Sequence, residues 1–317
     1  MKKKSLHIKK KIIKSKDLFP KFNESLTRCE LCAHKCKADR YNGETGYCGC
    51  GRDPIVYTYG PHHGEEPPLS GYSGSGTIFF SLCNLGCVYC QNHKFSKKKN
   101  GKIISARELA DIMLQLQKEK CHNINLVSPT PFVPSIVEAL SYACSDGLIL
   151  PIVYNTGGYD SLDTIRSLDG IVDIYLPDMR YSSDEMAEMY SHSPGYVENN
   201  RAIVMEMLRQ TGELVLSGDG IADRGLIIRL LMLPSRVSGT ENTLEFISKR
   251  LGKNQYLSVM SQYYPAYKAR AYKKLSKRLE REYYDEITDK MKSLGFSNGW
   301  IQPFEEGFDP DFAGENF

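Results

Sequence analysis

This sequence is poor in tryptophan, with one among 317 residues, and poor in net charge, at +3. The small charge excludes a molecule whose whole surface is built for nucleic acid. No stretch approaches the roughly 18 consecutive apolar residues of a membrane span, and the early lysines are not followed by the apolar run of a secretory leader. A cytoplasmic protein that makes no use of a membrane is expected. The positive excess is local, with eight Lys between Lys2 and Lys16. Without interleaved aromatics or a helix-turn-helix pattern, residues 1–20 read as a basic, solvated and poorly ordered arm. A composition of 41% hydrophobic and 25% charged residues then allows one large globular domain with a small appendage.

The sequence does have cysteine, ten in all. Thiols in a reducing compartment point to metal or redox chemistry rather than to a disulfide framework. Cys83, Cys87 and Cys90 follow the strand-like run 77–80 at spacings of four and three. Three thiolates so spaced can hold three corners of a four-iron, four-sulfur cube and leave one iron open, whereas an electron carrier normally closes that corner with a fourth Cys. That arrangement reads as catalysis. Cys29, Cys32, Cys36 and Cys48 form a second constellation, with Gly43, Gly46 and Gly49 to let the backbone turn. Four thiolates within twenty residues can close around zinc or a second iron-sulfur cluster, with Cys50 dispensable. Cys121 and Cys144 stand alone and read as core or near-surface thiols.

After the triad, short runs rich in Ile, Leu, Val and Tyr at 123–127, 151–155, 173–176, 226–233 and 256–260 alternate with helical periods. The best helix, 106–120, opens on a capping box formed by Ser105 and Glu108. Another spans 276–294, closed by Gly295. With 77–80 this makes six strands in βα order, and right-handed crossovers turn them into a parallel sheet curving toward a partial (β/α)6 TIM-like barrel. Polar loops after each strand should share one mouth. The expected division is the arm (1–20), a small Cys-rich N-terminal metal-binding region (21–70), the barrel (71–270) and a C-terminal helix and tail (271–317).

The C-x3-C-x2-C spacing with Tyr89 before the last Cys, set in GYSGSGTIFFSLCNLGCVYCQN (71–92), resembles the signature of radical S-adenosylmethionine (SAM) enzymes. It is closest to the branch grouped with pyruvate formate-lyase activating enzymes, and the likeness continues weakly to about Ile301. The resemblance implies a [4Fe-4S] cluster on Cys83, Cys87 and Cys90, with SAM on the open iron and Tyr89 near the adenine. It further implies cofactor contacts from Ser128 and Thr130, where relatives carry Gly-Gly-Glu, and from Asn155, Thr156, Asp178 and Arg229, with Arg180 toward a substrate peptide. The implied activity is hydrogen abstraction from a protein or peptide, a glycyl radical enzyme being one candidate, with flavodoxin or ferredoxin as electron donor. Two alternatives remain: a non-catalytic iron-sulfur or zinc protein for electron transfer or partner binding, and an RNA-modifying enzyme. The segment 62–68 (HHGEEPP) recurs in this branch and reads as an exposed linker.

Overall fold

The computed structural model describes the backbone of residues 2–304 and side chains from Ile8 onward. The acidic tail from Gly307 lies outside the described residues. Ten strands form one sheet: β1 (Ile55–His62), β2 (Ser75–Phe80), β3 (Lys102–Ile103), β4 (Ile124–Val127), β5 (Ile152–Thr156), β6 (Ile174–Pro177), β7 (Val215–Leu216), β8 (Ala222–Leu231), β9 (Tyr256–Met260) and β10 (Gly299–Ile301). The spatial order is β10-β9-β8-β6-β5-β4-β2-β1-β3, with β7 paired to β8. Strands β2, β4, β5, β6, β8 and β9 are parallel and lie side by side in chain order. They are the six expected strands, and the sheet they form is curved and not closed. The sequence reading missed β1, β3 and β10, which extend its edges, and the short, exposed β7, which pairs with the first part of β8.

Alternation along the strands sorts the layers. Ile78, Phe80, Ile124 and Leu126 face outward into the main core, against Leu109, Met113 and Leu116 of the helix Ala106–Lys118 and Ile136 and Leu140 of the helix Val133–Ser145, and Ile228 and Leu257 belong to the same core. Each such side chain contributes about 1.5–3 kcal/mol by leaving water. Val153, Ile174, Leu176 and Ile227 face inward and pack on Leu69. The capping box is present, Ser105 Oγ accepting from Glu108 N at 3.2 Å and Glu108 Oε2 from Ser105 N at 2.8 Å. The last helix begins at Arg281 rather than 276, and Gly295 ends it in the left-handed region at φ 77°.

Two expectations fail. The basic arm is not a solvated tail but the first part of a helix, Lys2–Ser25. Ile8, Lys11, Ile12, Ser15, Phe19, Phe22 and Leu26 recur at helical spacing and form its inner seam, against the helix Val133–Ser145. Lys11 itself is buried and ion-pairs with Asp173 at the start of β6. A lysine on the apolar face hides the amphipathic period, which is why the segment reads as solvated.

The segment 62–68 is not an exposed linker either. It leaves β1 at His62, which pairs with Ser75 of β2. A short turn of helix, Pro67–Ser70, then carries Leu69 into the barrel interior, where Leu69 O accepts from Asn123 Nδ2 at 2.9 Å. Glu66 enters beside Arg229 of β8 and Ser258 of β9 and is buried. The segment thus spans the gap between the two edges of the open barrel and closes its side. No helix among the described residues is long and apolar enough to cross a membrane.

Candidate active site

The loop after β2 carries Cys83, Cys87 and Cys90 at the strand's C-terminal end; Cys87 is buried and the other two partly so. Two backbone hydrogen bonds hold it against the end of the helix Asp184–Ser191, Gly86 N to Ser191 O at 2.8 Å and Val88 N to Tyr190 O at 2.9 Å. Glycine is required at 86 because a Cβ there would lie 2.7 Å from both His192 Cδ2 and Tyr47 Oη.

From Cys87 a continuous polar chain runs into the barrel. Its Sγ accepts from Ser191 Oγ at 2.9 Å and from Arg180 Nη1 at 3.4 Å. Arg180 Nη2 donates to Asp178 Oδ2 at 2.5 Å, and Asp178 Oδ1 accepts from Arg229 Nε at 2.8 Å. Arg229 Nη2 ends the chain on Asn155 Oδ1, also at 2.8 Å. On the other side Ser191 Oγ contacts Tyr181 OH at 2.6 Å, which meets Tyr89 OH at 2.7 Å. Burial alone would weaken the Arg180 charge, yet Asp178 and the Cys87 sulfur hold it above its ordinary value. Lys97 behaves alike: burial opposes its charge, and the three sulfurs of the triad raise it.

Of the residues expected at a cofactor, Asn155, Asp178 and Arg229 therefore meet, from β5, the end of β6 and β8. Asp178 does not cap a helix; the next helix takes Ser183 as its cap. The hydroxyls of Thr130 and Thr156 are engaged by Asp160, donating to its two oxygens at 2.7 and 2.6 Å, joined by Tyr154 OH at 2.7 Å. Burial pushes the Asp160 carboxyl up, against the pull of these three donors. Ser128, in the left-handed region at φ 57°, ends β4 with its N–H on Asn155 O. Tyr89 is enclosed among Leu85, Tyr181, Tyr263 and Leu275.

Sequence reasoning missed Ser191, Lys97, Asp160, Asn125 and Glu66. Inside the barrel Asn125, fully buried on β4, has neither its amide nitrogen nor its oxygen satisfied among the described residues, and Glu66 Oε2 is likewise unpartnered. Burial pushes the Glu66 carboxyl up, opposed by the nearby Arg229 charge. A polar residue within a strand-like run is the signal that could have found Asn125; the others come together only in three dimensions.

The N-terminal cysteines sit on the mouth beside the triad. Cys29, Cys32, Cys36 and Cys48 line one small cavity with Arg40, Tyr47, Asn84, Thr130 and Pro131. A bridge between Cys32 and Asp160 and the bonds Ala33 N to Tyr159 O (3.2 Å) and Ser161 N to Leu31 O (3.1 Å) fasten this region to the loop after β5. His34 stacks on Tyr47 with ring centroids 3.7 Å apart, and its Nε2 lies 2.9 Å from Asn84 O in the triad loop. Among the described residues no three His, Cys, Asp or Glu side chains already stand close enough to hold a single metal ion. Cys121 and Cys144 are buried in the main core. A larger cavity, about 570 Å³, lies at the opposite end of the sheet among Leu216, Tyr256 and Trp300, away from the cysteines.

The triad fits a cluster taking three thiolates, because Cys87 already receives two donors and the Arg180 and Lys97 cations would offset the charge of such a group. Residues 77–222 match the family model of the radical SAM superfamily. An uncharacterized protein of Methanocaldococcus jannaschii is 33% identical over 269 residues, 82% of this chain and 72% of that protein. Among solved structures, native anSMEcpe with bound AdoMet aligns at TM-score 0.45 and 12% identity, over 67% of this chain and 57% of that one. The FeFe-hydrogenase maturase HydG from Carboxydothermus hydrogenoformans aligns at TM-score 0.44 and 15% identity, over 69% and 56%. The chain thus spans little more than half the length of these two structures.

Proposed function

Because this chain belongs to the radical SAM superfamily, we propose that it cleaves SAM reductively and abstracts a hydrogen atom from a protein or peptide. The observation that carries this reading is the unbroken polar chain from Cys87 through Arg180, Asp178 and Arg229 to Asn155. It ties one sulfur of the triad to three strands of the barrel interior. When bound, a reduced [4Fe-4S] cluster and SAM would supply methionine and a 5'-deoxyadenosyl radical. Cys83, Cys87 and Cys90 would hold the cluster, with Arg180 and Ser191 hydrogen-bonding the Cys87 sulfur and Lys97 lending positive charge. Asn155, Asp178 and Arg229 would line the cofactor side of the cavity. The segment around Glu66 and Leu69 closes the barrel's flank, so a substrate would enter by the mouth. Half-exposed Tyr47 and Tyr267 on that rim, with partly exposed His34 and His93 stacked on them, suit a peptide segment more than a small ion. A glycyl radical enzyme of the pyruvate formate-lyase kind is one such partner, and flavodoxin or ferredoxin a fitting donor.

The test is anaerobic reconstitution with iron and sulfide, reduction by dithionite, and mass spectrometry for 5'-deoxyadenosine. Formation of 5'-deoxyadenosine is expected, abolished by Cys83→Ala, Cys87→Ala or Cys90→Ala. Undiminished cleavage in all three variants would sink the assignment.

A further inference from the structure

We propose that Cys29, Cys32, Cys36 and Cys48 hold a single zinc ion, a closed structural site docked on the barrel mouth, and not a second iron-sulfur cluster. The cavity that the four cysteines line, together with Leu31, Arg40, Tyr47, Asn84, Thr130 and Pro131, is about 10 Å³. That is room for roughly one water-sized sphere, hence for one ion. A four-iron cube would have to drive back the walls, and these are tied together: Arg40 Nη2 donates to Pro131 O at 2.7 Å and to Gly51 O at 2.5 Å.

Arg40 supplies the second argument. Its guanidinium is buried, with the residue 1% exposed, and no carboxylate among the described residues pairs with it. Its Nε also donates to Gly51 O at 3.1 Å, and Nη1 donates to Cys29 Sγ at 3.5 Å. An uncompensated buried cation is too costly to be stable, so negative charge must reside on the thiols beside it. Four thiolates on a divalent ion carry a net charge of minus two, which Arg40 partly offsets. Zinc suits four thiolates, at about 2.3 Å each in a tetrahedron. Binding releases to solvent the protons that the remaining thiols still carry, with no change of oxidation state.

The backbone is already folded for this. Cys29 N donates to Ala38 O at 3.0 Å, Lys37 N to Cys29 O at 2.9 Å and Lys35 N to Cys32 O at 3.0 Å, a tight double turn with Lys35 and Lys37 in the left-handed region. Cys50 does not line the cavity; it is fully buried, with its thiol on Cys48 O at 3.8 Å and beside the Cys48 sulfur.

The test uses the full chain with Cys83, Cys87 and Cys90 all changed to Ala, so that metal at the triad and SAM cleavage play no part. Elemental analysis should find about one zinc per chain and no acid-labile sulfide. The zinc should disappear on adding Cys32→Ser and persist on adding Cys50→Ser, while Arg40→Gln weakens zinc affinity about 10–100-fold, the usual effect of losing such a support. Should Cys32→Ser fail to fold, the chelated triple variant is offered zinc or ferrous iron with sulfide, and zinc alone should restore its thermal melt. Iron with equimolar sulfide, no metal, zinc surviving Cys32→Ser, or a melt restored by iron and sulfide only would each overturn the proposal.

Discussion

Replacing Arg229 with Met keeps a linear side chain but removes the guanidinium that joins β5, β6 and β8. In the native chain Arg229 gives Nε to Asp178 and Nη2 to Asn155, both at 2.8 Å, with its side chain 19% exposed. Asp178 would retain Arg180 at 2.5 Å, so it is not orphaned. What is lost is one charge-assisted hydrogen bond, about 1.5–3 kcal/mol, and Asn155 Oδ1 left unsatisfied, about 1–3 kcal/mol. Together these suggest about 3–5 kcal/mol, the usual cost of breaking a buried pair. Urea unfolding of the metal-free chain measures it, provided the slope of the transition is unchanged. Glu66→Gln added to the same variant removes a charge that Arg229 compensates. The double variant should therefore lose less than the sum of the singles, with a coupling of about 0.5–3 kcal/mol. A loss below about 1 kcal/mol for Arg229→Met, or strict additivity, would refute the view that this cation is the electrostatic joint of the interior. SAM affinity is read separately: Arg229→Lys keeps the charge and loses the planar fork, and should weaken SAM binding by about 1.5–3 kcal/mol if the residue also meets the cofactor.

The same chemistry gives predictions elsewhere. Lys11→Met removes the lysine from the buried Asp173 carboxylate, which keeps the Ile152 N–H at 2.7 Å, and thermal or urea unfolding should show a loss of about 3 kcal/mol; a change within 0.5 kcal/mol, about what a typical surface substitution produces, would return the N-terminal helix to the status of a solvated arm. Glu66 has a carboxyl pKa raised in the folded chain, so the native state holds its proton more tightly than the unfolded chain does. Its contribution is accordingly most favourable below the ordinary carboxyl value and is lost as pH rises through the folded value. Glu66→Gln should remove that decline from the stability–pH curve, and identical curves for the two proteins would show the carboxyl to be solvated.

The six parallel strands and the triad were legible because each announces itself locally. Residues 124–127 and 226–231 are apolar runs, and Cys83, Cys87 and Cys90 lie in one loop whose spacing is its own signature. Asn155, Asp178 and Arg229 could be anticipated only through the resemblance, which carries them over by their places on the strands and in the loops after them. That Thr130 and Thr156 are drawn to Asp160 could not, since the contest for their hydroxyls is decided by a carboxylate four residues from one and thirty from the other. Glu66 was hidden by its own neighbours: Gly64, Pro67 and Pro68 suggest a solvent loop, and only the open flank of the barrel gives the segment something to fill. The N-terminal helix was hidden by its lysines, one of which has a partner 162 positions away.

Consider last how the cysteine-rich region is held. Its fastenings all point forward along the chain, from Ala33 to Tyr159, from Cys32 to Asp160, from Arg40 to Pro131 and from His34 to Asn84. During synthesis these four thiols leave the ribosome well before the surface that will cover them. They must meet their ion, or an oxidant, while still exposed. Once docked, His34 stands against Asn84 O and Tyr47 stacks on His34, so the N-terminal region adds one wall to a triad loop already fastened to the helix Asp184–Ser191. The order of translation would then become an order of metal loading, with the early thiols filled first and the triad last.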